Sequence, residues 1–195
     1  MRKITISILM IFAFVQISLS QVKWTADPMH SNVHFSINHL GISFVDGDFT
    51  KFEGTVETKD ESDFNQSKFN FTVDVNSINT RVKQRDDHLR SDDFFDVEKY
   101  PNITLKNAKL SKNKEGNYVL KGDLTIKDVT KPVTFDVVFH GVITDPWGKT
   151  RAGLTATIEV NRMDFNIKYD KKLPSGVDEV AKKVKITVNT ELVKD

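Results

Sequence analysis

The side chains in this sequence whose chemistry reaches beyond packing are its five histidines (30, 34, 39, 88 and 140) and the acid pairs Asp86-Asp87 and Asp92-Asp93. Spacing limits what they can do. His30 and His34 lie four apart, which on an extended strand is about 13 Å, too far to share one metal ion. His34 and His39 are five apart and so point to opposite faces of a strand unless a bulge intervenes. His88 stands in a polar helical stretch and His140 at a distant strand end, so no metal is expected. His30 and His39 are read instead as structural hydrogen-bonding groups near strand ends. Nucleophilic chemistry has no carrier either. Cysteine is absent, no Gly-x-Ser-x-Gly elbow occurs, and Ser31, Ser43 and Ser175 lack a local signature of activation. Paired aspartates suit acid–base work in principle, but adjacent acids in a polar segment are usually solvated or paired, here with Arg85 and Arg90. Phosphate loops and dinucleotide fingerprints are missing as well. The enzyme routes fail together, and a binding role without a cofactor is the better reading.

The elements that must position these residues are written in period-two code. Val33, Phe35 and Ile37 alternate with polar residues, as do Phe69, Phe71, Val73 and Val75. The pattern returns through Tyr118–Ile126, Val133–Phe139, Ala152–Val160 and Val184–Leu192. Successive strand residues face opposite ways, so each stretch has one oily side and one wet side. Turns are expected at Asp46-Gly47, Asn113–Asn117, Lys131-Pro132 and Asp145-Pro146-Trp147-Gly148. Strands at this spacing favour an antiparallel all-β barrel or sandwich over an α/β fold. Alternation by itself does not choose between those two. One interruption breaks the pattern: Thr80 or Asn79 is placed to cap a short helix over Arg81–Arg90, with Val82 and Leu89 on one face. This insertion, around 81–95, either covers a barrel opening or packs on the outside.

Length and charge narrow the class. Met1-Arg2-Lys3, an apolar run from Ile4 to Val15 and small residues up to Ser20 predict a secretory signal peptide over 1–20. The run is shorter than the ~20 apolar residues a membrane span needs. About 175 residues follow, enough for one domain (21–195) with an adequate core. Of 28 basic and 27 acidic residues, two basic ones fall in the signal, so the remainder is close to neutral. That balance offers no electrostatic case for nucleic acid.

Several clusters together resemble the YceI-like family of exported bacterial proteins. They are Trp24–Ser31 leading to His39-Leu40-Gly41; Gly47-Asp48-Phe49; Phe52-Glu53-Gly54; and Ser77-Ile78-Asn79-Thr80. Arg85–Asp96 with Tyr100-Pro101 follows, then Gly122–Lys127, Thr130–Val133 and Arg162-Met163-Asp164-Phe165. Asp128 and Asn166 depart from the family pattern, which usually has glycine at these turns. The resemblance implies an extended antiparallel eight-stranded lipocalin-like barrel in the periplasm, often dimeric. It implies an interior that holds an isoprenoid quinone, a polyprenyl phosphate or, in some members, a fatty acid or fatty amide. The Arg-Asp-x-His-Leu stretch, here Arg85, Asp86, His88 and Leu89, is a family hallmark.

An eight-stranded barrel is wide enough to be filled by side chains or to hold one small ligand. Phe35, Ile37, Phe69, Phe71, Val73, Leu89, Phe94, Phe95, Phe135 and Phe139 are the expected apolar lining. His30, His39, Arg85, Asp86 and His88 are the expected polar contacts. A periplasmic carrier of an isoprenoid lipid, possible as a homodimer, is the leading expectation. A lipid-modifying enzyme would need two of the His and Asp residues to converge beside the cavity. An interaction module would need a filled core and an exposed apolar patch.

Overall fold

The alternating segments form antiparallel strands in a computed structural model that describes residues 21–195; the signal segment 1–20 lies outside the described residues. In chain order they are β1 (Val22–Ala26), β2 (Asn32–His39), β3 (Ser43–Phe49), β4 (Phe52–Thr58), β5 (Lys68–Asp74) and β6 (Ile78–Asn79). After helix α1 (Lys83–Arg90) come β7 (Asn102–Lys112), β8 (Tyr118–Ile126), β9 (Val129–Thr144), β10 (Thr150–Asn161) and β11 (Val180–Lys194). The ring β1-β4-β5-β7-β8-β9-β10-β11 closes on itself where β1 meets β11, Trp24 standing opposite Lys194 and Ala26 opposite Leu192. The fold is therefore an eight-stranded antiparallel barrel, and closure removes the exposed edges of an open sheet.

Strand β11 explains how the barrel extends past that ring. Its C-terminal end pairs with β1, while Val180–Asn189 of the same edge pair with β2. The β2–β3 hairpin thus continues the wall beyond the ring. Its outer edge is barely paired, by β6 at Asp48–Asn79 and Phe49–Ile78. A second apolar cluster closes this seam, with Val33, Phe49, Val73, Val75, Ile78 and Val97 buried against one another.

The helical insertion is a cover. Helix α1 starts at Lys83, two residues later than the spacing predicts, and neither Asn79 nor Thr80 caps it. Thr80 is instead fully buried and gives both its backbone N–H and its hydroxyl to the Asp86 carboxylate, at 2.8 and 2.5 Å. Arg90 donates to the carbonyls of Asn76 and Ile78. These bonds clamp the helix onto β6 from its own inner face. Lys127 Nζ holds the carbonyls of Phe94 and Asn166, at 2.9 and 3.3 Å, tying the β8–β9 turn to the same cover.

Two expected turns lie inside strands. Asp46-Gly47 belongs to β3, where Gly47 faces Phe35 across the ladder. A Cβ at position 47 would come within 2.4 Å of the Phe35 ring. The glycine is there for close approach of an aromatic ring, and the chain turns earlier, at Leu40–Ile42. Lys131-Pro132 belongs to β9, with Pro132 opposite Asp123. The turn before it is made by Lys127-Asp128, with Lys127 at φ 54°. Asp128 and Asn166, the two departures from family glycines, are bonded to each other, Asn166 Nδ2 donating to Asp128 Oδ1 at 2.9 Å. Asn166 is left-handed, φ 58°, a conformation asparagine tolerates better than most residues.

Candidate functional site

The barrel is plugged at one end and hollow at the other. The plug grows from the β4–β5 connection, where Phe64 is fully buried and packs at ring-centroid distances of 5.1 Å on Trp24 and 4.9 Å on Phe139. Tyr118 stacks edge-on against Phe139 at 5.8 Å. Above this aromatic floor lies a cavity of about 380 Å³. Its walls are the inward faces of β2, β3, β5, β7, β8, β9, β10 and β11, and its cover is α1 with the turns after it.

Nine of the ten residues expected in the lining meet there: Phe35, Ile37, Phe69, Phe71, Val73, Leu89, Phe94, Phe95 and Phe135. Phe139 does not. It shares their strand face, but it lies further along β9 than Phe135, where its ring joins the plug. Leu120, Leu124, Leu154, Val184, Ile186 and Val188 also line the cavity. They carry the same period-two signal as the phenylalanines but lack an aromatic ring to draw attention.

The expected polar contacts divide. His39, Arg85 and His88 border the cavity. Asp86 does not, because its carboxylate is spent on Thr80. His30 lies outside the wall, with Nδ1 2.8 Å from Asp27 Oδ2. Asp27, His30 and Glu191 are close enough to suggest a metal centre. However, Arg151 Nη1 already contacts Asp27 at 2.9 Å and Glu191 at 2.5 Å, and Arg151 Nε reaches Asp145 at 2.6 Å. The guanidinium occupies the place of a cation. The hydrogen bond from His30 is the main reason the Asp27 carboxyl is held down at about 2. Among the described residues, no hydrogen bond joins any two of His30, His39, Asp86 and His88; His88 pairs instead with Asp93, at 2.9 Å.

Three further groups stand at the open end: Tyr169 and Glu179, which had no local signal in the sequence, and Arg162, which stood there only as part of a family cluster. Tyr169 and Glu179 arrive on the long connection between β10 and β11, and both border the cavity. The Tyr169 hydroxyl donates to Glu179 Oε2 at 2.8 Å, and that bond, with burial, pushes the phenol pKa up. Tyr169 also stacks on Phe94 at 4.8 Å and meets His88 edge-on at 5.7 Å. Arg162, only 4% exposed, lines the cavity from the end of β10. Its guanidinium donates to the carbonyls of Ala181, Ile167 and Val180 at 2.8–3.0 Å. Burial lowers its pKa, and the fields of Asp170 and Asp178 oppose the shift. On the β11 wall, opposite Leu154, Thr190 carries a buried hydroxyl with no hydrogen-bond partner.

Comparison with known proteins follows the same outline. The YceI-like domain matches residues 24–192. A UPF0312 protein of Vibrio parahaemolyticus is 40% identical over 138 residues, covering 71% of this chain and 72% of that one. One from Yersinia enterocolitica is 39% identical over 151 residues, covering 77% and 78%. Among solved structures, the Campylobacter jejuni YCEI protein superposes with a TM-score of 0.67 at 26% identity, covering 82% of this chain and 90% of that one. A polyisoprenoid binding domain from Saccharophagus degradans shares the fold, with a TM-score of 0.64 at 12% identity and coverage of 88% and 98%.

Proposed function

Because this chain belongs to the YceI-like domain family and encloses an apolar cavity, we propose that it is a binding or carrier protein for a long apolar lipid, an isoprenoid chain in the first place. The observation that carries this reading is the cavity itself: a floor of packed aromatic rings, walls mostly of aliphatic and phenyl side chains, and charged groups at the open end. About 380 Å³ falls within the ~300–1,000 Å³ of small-molecule sites. Each buried methylene contributes about 0.8 kcal/mol. A tail of a few isoprene units therefore exceeds an association cost of at least about 4 kcal/mol without any charged anchor. The polyisoprenoid ligand class named for the Saccharophagus degradans domain supports the choice of tail.

We place the working protein in the periplasm, delivered by residues 1–20, on the strength of their charged start, apolar middle and small-residue end. Intact-mass measurement of protein from a native envelope fraction is expected to start at Gln21; an uncleaved Met1 would sink the export reading. For the ligand, folded protein is extracted into organic solvent and the extract analysed by mass spectrometry. A recurrent prenyl lipid near one per chain is the expected result. Repeated empty extracts, with no uptake of added ubiquinone or prenol, would count decisively against a lipid carrier. Ala156→Phe, which projects a ring from β10 into the cavity, is expected to reduce the extracted lipid while the β-sheet circular dichroism persists.

A further inference from the structure

The large apolar side chains left in water are not spread evenly over the barrel. Val138 and Ile143 stand on the outside of β9, Trp147 on the turn after it and Met29 between β1 and β2, all away from the cavity lining. The others gather at the open end. Ile42, 86% exposed, and Phe44, 68% exposed, top the β2–β3 hairpin. Exposed Val177, on the connection between β10 and β11, leans on the same turn: a Cβ at Gly41 would lie 3.2 Å from Val177 Cγ1. A backbone bond of 3.0 Å from the Leu40 N–H to the Glu179 carbonyl ties the two segments together. Val82, also exposed, precedes α1 and shares a surface recess with Arg85 and His88, both of which border the cavity.

This apolar lip is continuous with the hollow. Leu40 and Val45, on either side of Ile42 and Phe44 in the chain, line the cavity, so one hairpin carries apolar surface from the inside over the rim. A contiguous exposed patch of this kind marks a site of association. Its charged surroundings select the partner. Asp170 and Asp178 are taken by Lys182 and Lys172, at 3.7 and 3.3 Å, and Asp46 leans to His34 at 3.6 Å. Among the described residues Arg81, Lys168 and Lys171 have no carboxylate within ion-pair distance, and all three are exposed. Lys171 instead lies over the Tyr169 ring, 5.4 Å from its centroid. Apolar tips flanked by uncancelled cations match the acyl boundary and the anionic headgroups of a phospholipid surface.

We propose that this lip docks the barrel, mouth first, on an anionic phospholipid bilayer, so that a lipid passes between leaflet and cavity without crossing water. Docking rests on the lipid-carrier reading and adds the route of entry to it. Ile42, Phe44 and Val177 enter the headgroup boundary, and Arg81, Lys168 and Lys171 face the phosphates.

The test uses mature protein and vesicles of phosphatidylethanolamine with phosphatidylglycerol, against vesicles of phosphatidylcholine alone. Co-sedimentation is expected with the first and should weaken at high salt, where surface charges are screened. The chain has no cysteine, so an environment-sensitive dye can be placed singly on Ile42→Cys or Trp147→Cys. Dye at 42 should shift to the blue on adding vesicles; dye at 147, on the β9–β10 turn at the other end of β10, should not. The double variant Ile42→Ser, Phe44→Ser changes only exposed side chains. It is expected to bind vesicles at least about tenfold more weakly, the fold-change carried by burial of one such side chain. It should also take up ubiquinone from those vesicles about tenfold more slowly, while binding as much ubiquinone from dilute detergent as the unmodified protein.

Absence of co-sedimentation, equal response of the two dyes, or unchanged vesicle uptake by the double variant overturns docking and leaves the carrier reading intact. Equal binding to both vesicle types overturns the role of the cations. A doubled mass in light scattering that the double variant abolishes, without vesicle binding, assigns the lip to a second copy of this chain and overturns docking. Failure to take up ubiquinone or prenol from either source removes the carrier reading and the loading role with it.

Discussion

At the scale of single residues, Asp27 and His30 set a pH window without touching the cavity. The Asp27 carboxyl is held at about 2, below its ordinary 3.8, chiefly by the His30 hydrogen bond. Its stabilisation is present above pH 3.8 and is lost as pH falls towards 2. His30 has its pKa raised above 6.5 by the same partner. Its contribution is present below 6.5 and is lost as pH rises through the raised value. The pair is therefore fully formed between about pH 4 and 6.5. Urea midpoints measured from pH 2 to 8 should show that plateau, and His30→Ala should flatten both flanks. Thr190 gives a prediction of opposite sign. Its hydroxyl is buried with no partner, so Thr190→Val removes a desolvated polar group at nearly constant shape. A gain of about 1 kcal/mol in denaturant stability is expected; a loss would mean that the hydroxyl is satisfied by a bound water or by the ligand.

At the scale of elements, neighbouring strands are matched so that phenyl rings lie flat. Gly54 stands opposite Phe71 and Gly47 opposite Phe35. A Cβ at position 54 would lie 2.3 Å from the Phe71 ring. Gly54→Ala must push that ring towards the cavity, at a cost of about 1–3 kcal/mol for overpacking. The loss should appear in equilibrium unfolding together with reduced lipid content; an unchanged lipid yield would show that Phe71 does not bound the hollow. Helix α1 depends on Asp86 in a different way. Asp86→Ala leaves the buried Thr80 N–H and hydroxyl without an acceptor, costing roughly 3 kcal/mol in all. Hydrogen exchange should then quicken over residues 83–90 before the barrel strands are affected. The Arg-Asp-x-His-Leu hallmark thus carries two jobs on one turn of helix. Asp86 points back to hold the cover, while Arg85, His88 and Leu89 face the cavity.

At the scale of the molecule, the barrel works as a cup because one end is filled and the other is not. Phe64 makes the floor with Trp24 and Phe139. Phe64→Ala is expected to cost about 3–5 kcal/mol and to shift Trp24 fluorescence, since that indole is completely buried beside the deleted ring. Unchanged Trp24 emission and stability would mean that the floor is carried by other side chains. Among the described residues no helix is long and apolar enough to cross a membrane. The strands, the short helix and most of the lining were legible from the chain, because alternation and side-chain type are local properties that strand geometry converts directly into inside and outside. Nine of the ten expected lining residues reached the cavity for that reason. Where along the axis each residue falls was not legible. Phe139 shares the inward face of Phe135 but belongs to the floor, and only ring closure with its stagger decides that height. Tyr169 and Glu179 were invisible for a related cause: an irregular connection brings them to the mouth, and no period in the sequence encodes its path. Closure of a sheet is a long-range event, so it alone determines which residues become floor, wall or rim.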